Sequence, residues 1–204
     1  TKSGIQWRML PKDYAPWESV YYYFRKWKRD GLIEEIHNFL VEKVRIGTGK
    51  KPTPSVGIID SQSLEACNLC EGDAGFDSGK KTKGRKRHLV VDTLGMVMII
   101  VIHAANIHDS VGARQVMKSL QDKYLTGIQK IFADGGYIGE LIDWVRLQFG
   151  WKLEIVKRNE TGRFKVLPKR WIVERLFAWL SFHRRMSTDY GRLPESGITF
   201  IQYP

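Results

Sequence analysis

The sequence predicts an α/β fold: a mixed sheet flanked by helices, with a small helical segment in front. Three observations carry this reading. Apolar residues recur at helical spacing through residues 1–46. After a breaker-rich stretch, the apolar runs shorten to strand length. Two of those runs are joined by a turn tight enough for a hairpin, and strands then alternate with helical segments.

Each element follows in order. Val20, Tyr23, Phe24 and Trp27 stand at i, i+3, i+4 and i+7 and mark one helical face, with Ser19 as its expected N-cap. Arg25, Lys26, Lys28 and Arg29 lie largely off that face. A second amphipathic segment carries Leu32, Ile33, Ile36, Phe39, Leu40 and Val44. The pair is expected to pack on itself and leave its basic face open to phosphates. Residues 47–54 are rich in Gly and Pro and read as a linker, which divides the chain into a helical region 1–46 and a main domain 55–204. Strands are expected over Val56 to Asp60, Arg87 to Thr93 and Met96 to Ala104, the last two joined at Leu94-Gly95. Asp109 is the expected N-cap of a helix over Val111 to Tyr124. A strand over Ile128 to Asp134, a helix over Ile138 to Phe149 and a strand over Lys152 to Lys157 come next. Pro168 announces a last helix over about Lys169 to Met186. Three antiparallel strands followed by strand–helix alternation give a mixed sheet.

Composition narrows the partner. The 204 residues are 43% hydrophobic, enough to bury a core in a sizeable domain. Lys and Arg outnumber Asp and Glu by 33 to 22, leaving a net charge of +11. Such a balance points to a polyanion, and nucleic acid is the commonest. No run of about 18 uncharged apolar residues occurs, so no membrane-spanning helix is expected. No secretory signal is read at its start. Cys67 and Cys70 form a lone C-x-x-C with no second pair, read as incidental rather than as a zinc site. Low cysteine use fits a reducing cytosol.

Three carboxylates stand in apolar surroundings. Asp60 closes the run Ser55-Val56-Gly57-Ile58-Ile59. Asp134 follows Ile131-Phe132-Ala133 and precedes Gly135-Gly136. Glu174 lies inside the aromatic-rich stretch Trp171 to Leu180. A buried carboxylate costs several kcal/mol unless a positive group compensates it. Each has an ordinary reading: Asp60 as a turn cap with Ser61 and Ser63, Asp134 as a turn residue, Glu174 as a partner of Arg170 at i−4. Together they suggest a divalent-metal site, because hard ions prefer carboxylate oxygens. In phosphodiester chemistry, two Mg²⁺ about 4 Å apart activate the attacking oxygen and neutralise the leaving one. Asp60 and Asp134 meet if their strands are neighbours, and Glu174 joins them if the last helix packs on the same edge.

Two basic groups complete the reading. Arg170, Glu174, Ser181 and Arg185 are spaced 4, 7 and 4 and are expected on one polar stripe, with Arg170 and Arg185 as phosphate contacts. Lys80, Lys81, Lys83, Arg85, Lys86 and Arg87 crowd into one run, read as a loop on the DNA backbone. Asp92 is read as a spare mid-strand carboxylate.

Longer words in the chain add a resemblance. Gly4-Ile5-Gln6-Trp7-Arg8-Met9-Leu10-Pro11 is followed by Asp60-Ser61-Gln62-Ser63 and by the stretch from Gly75 to Thr93. Then come His103-Ala104-Ala105-Asn106-Ile107-His108-Asp109, Ala133-Asp134-Gly135-Gly136-Tyr137 and Arg170 to Leu180. In this order, over nearly the whole chain, they closely resemble bacterial insertion-sequence transposases of the DDE class, in the group named for insertion sequence five. The resemblance implies a ribonuclease-H-like fold and places the catalytic, metal-binding residues on Asp60, Asp134 and Glu174. It implies Mg²⁺ or Mn²⁺ as cofactor, with two ions expected. It implies cleavage and strand transfer on double-stranded DNA, at transposon ends and target. A homodimer or higher oligomer on DNA is expected, nucleoid-associated in a bacterial cytoplasm. The family's Tyr-Arg-Glu-Lys signature is only partly recognisable: Glu174 matches its Glu, and Arg184, Arg185 and Asp189-Tyr190 resemble the end of that helix and the turn after it. The 40 residues from Asp134 to Glu174 leave no room for the large insertion domain of some relatives. Family members carry several tens of residues before the Gly4 segment, so a chain truncated at its front is expected. Two alternatives stay open: an inactive DNA-binding remnant, and a nuclease of the same fold.

Overall fold

The computed structural model describes residues 2–67, 74–124, 126–156 and 169–203. Strand β1 (Val56–Glu65) is the spine of its sheet. The other strands are β2 (Gly75–Asp77), β3 (Thr82–Val91), β4 (Val97–Ala104), β5 (Lys130–Ala133) and β6 (Lys152–Ile155). β3 runs antiparallel to β1 and is flanked on its far side by β2 at one end and β4 along the rest. On the other side of β1, β5 and then β6 pair in parallel. Antiparallel strands on one side of β1 and parallel ones on the other form a mixed sheet. This is the ribonuclease-H-like arrangement.

Helices cover both faces. In chain order they are α1 (Trp17–Arg29), α2 (Leu32–Gly47), α3 (Asp109–Tyr124), α4 (Glu140–Phe149), α5 (Arg170–Ser181), α6 (Arg184–Ser187) and α7 (Pro194–Gln202). Successive strand residues point to opposite faces, so the core divides in two. Ile59, Val90, Met98 and Ile131 pack with Val116, Leu120, Leu141 and Val145 of α3 and α4. Ile58, Leu89, Val91 and Phe132 pack with Ile172, Val173, Phe177 and Leu180 of α5. The same alternation aims Asp60 with Ile58 toward α5, and Ser61 with Ile59 toward α3.

Several expectations need correction. α1 begins at Trp17 behind Pro16, whose φ of −47° already suits a helix entry, so Ser19 lies in the first turn instead of capping it. Tyr23 and Trp27 stay exposed in part, as do Phe39 and Leu40 of α2, while Phe24 stacks on Phe200 at 5.0 Å. The helical pair therefore buries part of its apolar surface on α7 and leaves much of the rest open. The basic run is not a loop. Thr82 onward is strand, paired with β1 on one side and with β2 or β4 on the other. β3 ends at Val91, so Asp92 is no mid-strand residue. It accepts from the backbone N–H of Leu94 and Met96 and closes the β3–β4 turn. Its other oxygen takes a buried ion pair from Arg45 of α2. Arg45 also donates to the carbonyls of Lys51 and Pro52 and so ties α2 to that turn.

The last expected helix is two. α5 stops at Ser181, whose hydroxyl bonds back to the Phe177 carbonyl, and α6 starts at Arg184. Arg185 therefore leaves the stripe of Arg170, Glu174 and Ser181. β2 and α7 were not anticipated: β2 has only 3 residues, and α7 has Pro194 in its first turn. Cys70, Lys157 and Pro168 lie outside the described residues. Among the described residues no helix is long and apolar enough to cross a membrane.

Candidate active site

Register brings the first two carboxylates together. β1 and β5 are parallel, with Ile58 opposite Phe132. Two residues further along each chain stand Asp60 and Asp134, on the same face and at the same edge. β1 does not end there, because its pairing to β3 continues through Glu65, so Asp60 sits mid-strand opposite Leu89. Asp134 follows the end of β5 and opens a 3-10 turn over Gly135–Tyr137, accepting from Gly136 N–H at 2.8 Å. A Cβ on Gly136 would stand 3.1 Å from Asp134 Oδ1 and 3.2 Å from Asp109 Oδ2. Glycine lets the two carboxylates approach that backbone. Asp60 is steadied by the Ser61 N–H at 2.7 Å.

α5 delivers the third carboxylate and a cation with it. One nitrogen of Arg170, Nη2, lies 3.0 Å from Glu174, 3.6 Å from Asp60 and 3.7 Å from Asp134. Exposure falls steadily across the site: the Glu174 side chain is 50% exposed, Asp134 29%, Asp60 14% and Arg170 8%. The cost of burying a carboxylate therefore falls most on Asp60 and hardly on Glu174. Burial pushes the Asp60 carboxyl up to about 6, against the lowering by the Ser61 N–H and Arg170.

That shift has a sign. A carboxyl raised in the folded chain contributes stability below its unfolded value near 3.8, and this is lost as the pH rises through about 6. At neutral pH the ionised Asp60 therefore destabilises the ion-free chain by on the order of 2–3 kcal/mol. Asp60→Asn is expected to raise the thermal midpoint at pH 7.5 and leave it nearly unchanged at pH 4. Melts across that range check this, and equal loss at both ends refutes it.

Behind the carboxylates lies a buried polar layer that sequence reading missed. Tyr137 is fully buried, hydrogen-bonded to Ser61, and 3.0 Å from His88 Nδ1. Burial and the nearby Asp60, Asp109 and Asp134 hold its hydroxyl protonated. The His88 ring lies 4.9 Å from the His103 ring, tilted by 37°, and His88 is pushed down to about 3, first by burial and then by that neighbour. Neutral His88 and protonated Tyr137 thus form a floor under the carboxylate edge. The only sequence signal was an aromatic after two glycines, which is common to many turns.

The basic residues divide by burial. Arg85 is 1% exposed, pairs with Asp189 at 3.1 Å and donates to the carbonyls of Gly191 and Arg192. Lys86 binds Asp109 at 2.8 Å, so the Asp109 carboxylate serves an ion pair, not a helix cap. Arg87 donates to Gln62 and to the Met186 carbonyl, over the Phe177 ring. These three hold the fold and are not exposed phosphate contacts. Lys80, Lys81 and Lys83 remain exposed, and Lys80 Nζ reaches the Ser61 carbonyl at 3.2 Å, beside Asp60. Arg170 is buried among the acids. Arg185 lies apart on α6, half-buried, its guanidinium 5.1 Å over Phe200.

The donor chemistry suits a hard divalent cation: three carboxylates converge on a position already taken by positive charge. Their spacing is wider than a closed cage, and among the described residues no three acidic, histidine or cysteine side chains are close enough to hold an ion as they stand.

Comparisons with known proteins bear on the family of the chain. A family model described as the transposase DDE domain matches residues 51–191, and a second, for transposases of the IS4/5 family, matches residues 1–37. A Burkholderia cepacia protein named as the transposase for insertion sequence element IS402 is 28% identical over 125 residues. The match covers 58% of this chain and 59% of that relative's length. Among solved structures, a piggyBac transposase synaptic complex with hairpin DNA is similar at a TM-score of 0.35 and 19% identity, over 61% of this chain and 26% of that one. A Drosophila P element transposase strand transfer complex is similar at 0.26 and 11%, over 50% and 26%.

Proposed function

The chain belongs to the transposase DDE-domain family, and on that premise we propose that it cuts DNA at the ends of an insertion sequence and joins the freed strand to target DNA. Asp60, Asp134 and Glu174 are the catalytic carboxylates and would hold Mg²⁺ or Mn²⁺, two ions being expected. The observation that carries this reading is the parallel register of β1 and β5, which sets Asp60 and Asp134 side by side with Glu174 across one cation position. Bound ions supply Lewis-acid activation of the attacking oxygen and neutralise the leaving one.

The chain's own residues do the rest. The Ser61 and Gly136 N–H groups each hold one oxygen of Asp60 and Asp134, leaving the other directed at the cation position. Glu174, half exposed on a helix, is free to adjust its rotamer. Tyr137 and the core behind it exclude water from the far side. Exposed Lys80, Lys81 and Lys83 bind phosphates and position the duplex while reading little sequence. Pairing two DNA ends calls for at least a homodimer, acting on the nucleoid of a bacterial cytoplasm.

The test uses a duplex carrying the inverted repeats that flank the coding region, with Mg²⁺. End cleavage followed by joining is the expected result. Cleavage without joining points to a nuclease, and binding without cleavage under any metal points to a remnant. Changing Lys80, Lys81 and Lys83 together to Ala is expected to flatten the dependence of log K on log salt by about 2.7, near 0.9 per phosphate contact. An unchanged slope in a salt titration removes them from the interface.

A further inference from the structure

Arg170 is placed as no ordinary ion-pair partner would be. An arginine serving a carboxylate offers two parallel N–H groups in a fork. Arg170 instead points one nitrogen, Nη2, at three carboxylates from three elements, at 3.0, 3.6 and 3.7 Å. Its Nε is buried with no hydrogen-bond partner among the described residues. The whole side chain is 8% exposed. The guanidinium thus forgoes its directional bonds and acts as a point charge at the shared centre. An Mg²⁺ ion at that centre would draw carboxylate oxygens in to about 2.1 Å. The two cations cannot occupy the position together.

We propose that Arg170 is the resident cation of the ion-free site, and that a divalent ion and Arg170 compete for the same carboxylates. This rests on the metal-site reading above. Three carboxylates without a cation would repel one another across the β1, β5 and α5 junction. Arg170 holds that junction together until an ion replaces it. Metal affinity is therefore set partly by the ease of expelling an arginine. The opposite role, in which Arg170 merely orients Glu174 for the ion, predicts an effect of opposite sign.

The test is Mn²⁺ binding to the full chain at pH 7.5 without DNA, followed by calorimetry and by the electron paramagnetic resonance of free Mn²⁺. Arg170→Gln is expected to bind Mn²⁺ at least about tenfold more tightly than the wild type, since removing a nearby like charge favours the incoming cation. Arg170→Lys, which keeps the charge, is expected within about threefold of the wild type. Ion-free Arg170→Gln should melt below the wild type and gain more from Mn²⁺. Unchanged or weaker binding by Arg170→Gln overturns the proposal. Should that variant fail to fold, the wild type still decides: saturating Mg²⁺ should shift the Arg170 Nε–H resonance, assigned by its loss in Arg170→Lys. A resonance that stays fixed overturns the proposal. Asp60→Asn and Asp134→Asn separate the two levels. If neither weakens Mn²⁺ binding, the metal-site reading itself fails. If both do while Arg170→Gln binds no better, only the competition fails.

Discussion

Asp134→Asn and Asp60→Asn are each expected to cut Mg²⁺-dependent strand cleavage by on the order of 10³-fold or more, with DNA binding retained. Several kcal/mol of transition-state charge stabilisation depend on a divalent site of this kind, and each such step of about 1.4 kcal/mol is tenfold in rate. Asn keeps the shape and one acceptor oxygen but removes the negative charge that draws the ion in. The two positions differ in their second effect. Asp60 is the more buried and carries the raised carboxyl, so its Asn variant gains stability at neutral pH while losing cleavage. Asp134 is more exposed and anchors the 3-10 turn through Gly136, so its variant is expected to gain less. Cleavage rates on an end-labelled duplex, set beside binding measured with the same duplex, check this. Cleavage within tenfold of the wild type in both variants sinks the assignment.

Arg85→Ala is expected to destabilise the fold by about 3–5 kcal/mol, the usual loss when one partner of a buried ion pair is removed. Arg85 is 1% exposed, and its guanidinium gathers the Asp189 carboxylate and the carbonyls of Gly191 and Arg192. Without it, the buried Asp189 loses the guanidinium paired with it at 3.1 Å, and the two carbonyls lose that donor. The stretch joining α6 to α7 would then no longer be pinned to β3. Against a total stability of about 5–15 kcal/mol, that is a third or more. Lys83→Ala, on the exposed end of the same strand, should change stability by less than about 0.5 kcal/mol. Urea titrations of both variants make the comparison. A loss below about 1 kcal/mol for Arg85→Ala would return that residue to the surface and to DNA contact.

The basic run shows why the sequence could be read only in part. Lys80 to Arg87 has the composition of a solvated loop, and charge alone favours that reading. The run contains no apolar alternation that would mark a strand. What makes it one is pairing with β1, whose residues 61–65 are polar apart from Leu64, and with β4 further on. His88, which faces Tyr137, was hidden for the same reason. The helix over residues 169–186 failed differently. Its apolar spacing runs on past Ser181, but the back-bonded hydroxyl and the packing of α6 against α7 end it. Asp60, Asp134 and Glu174 were legible because each stands inside or beside an apolar run that forms a regular element by itself.

The sequence by itself determined the family, three acidic residues beside apolar runs, and the order of the strands and helices after residue 55 apart from β2, α7 and the break after Ser181. Each of these rests on local periodicity or on words of a few residues. Only the tertiary structure decided which charges face solvent. Lys83 and Arg85 stand two apart on one strand and share a face, yet the first is exposed and the second is sealed under the stretch at 189–192. Burial of a charge is set by what packs over it from far along the chain. The same holds for the acidic site: the sequence shows three carboxylates and an arginine, and packing of α5 on β1 alone makes that arginine their common counter-charge.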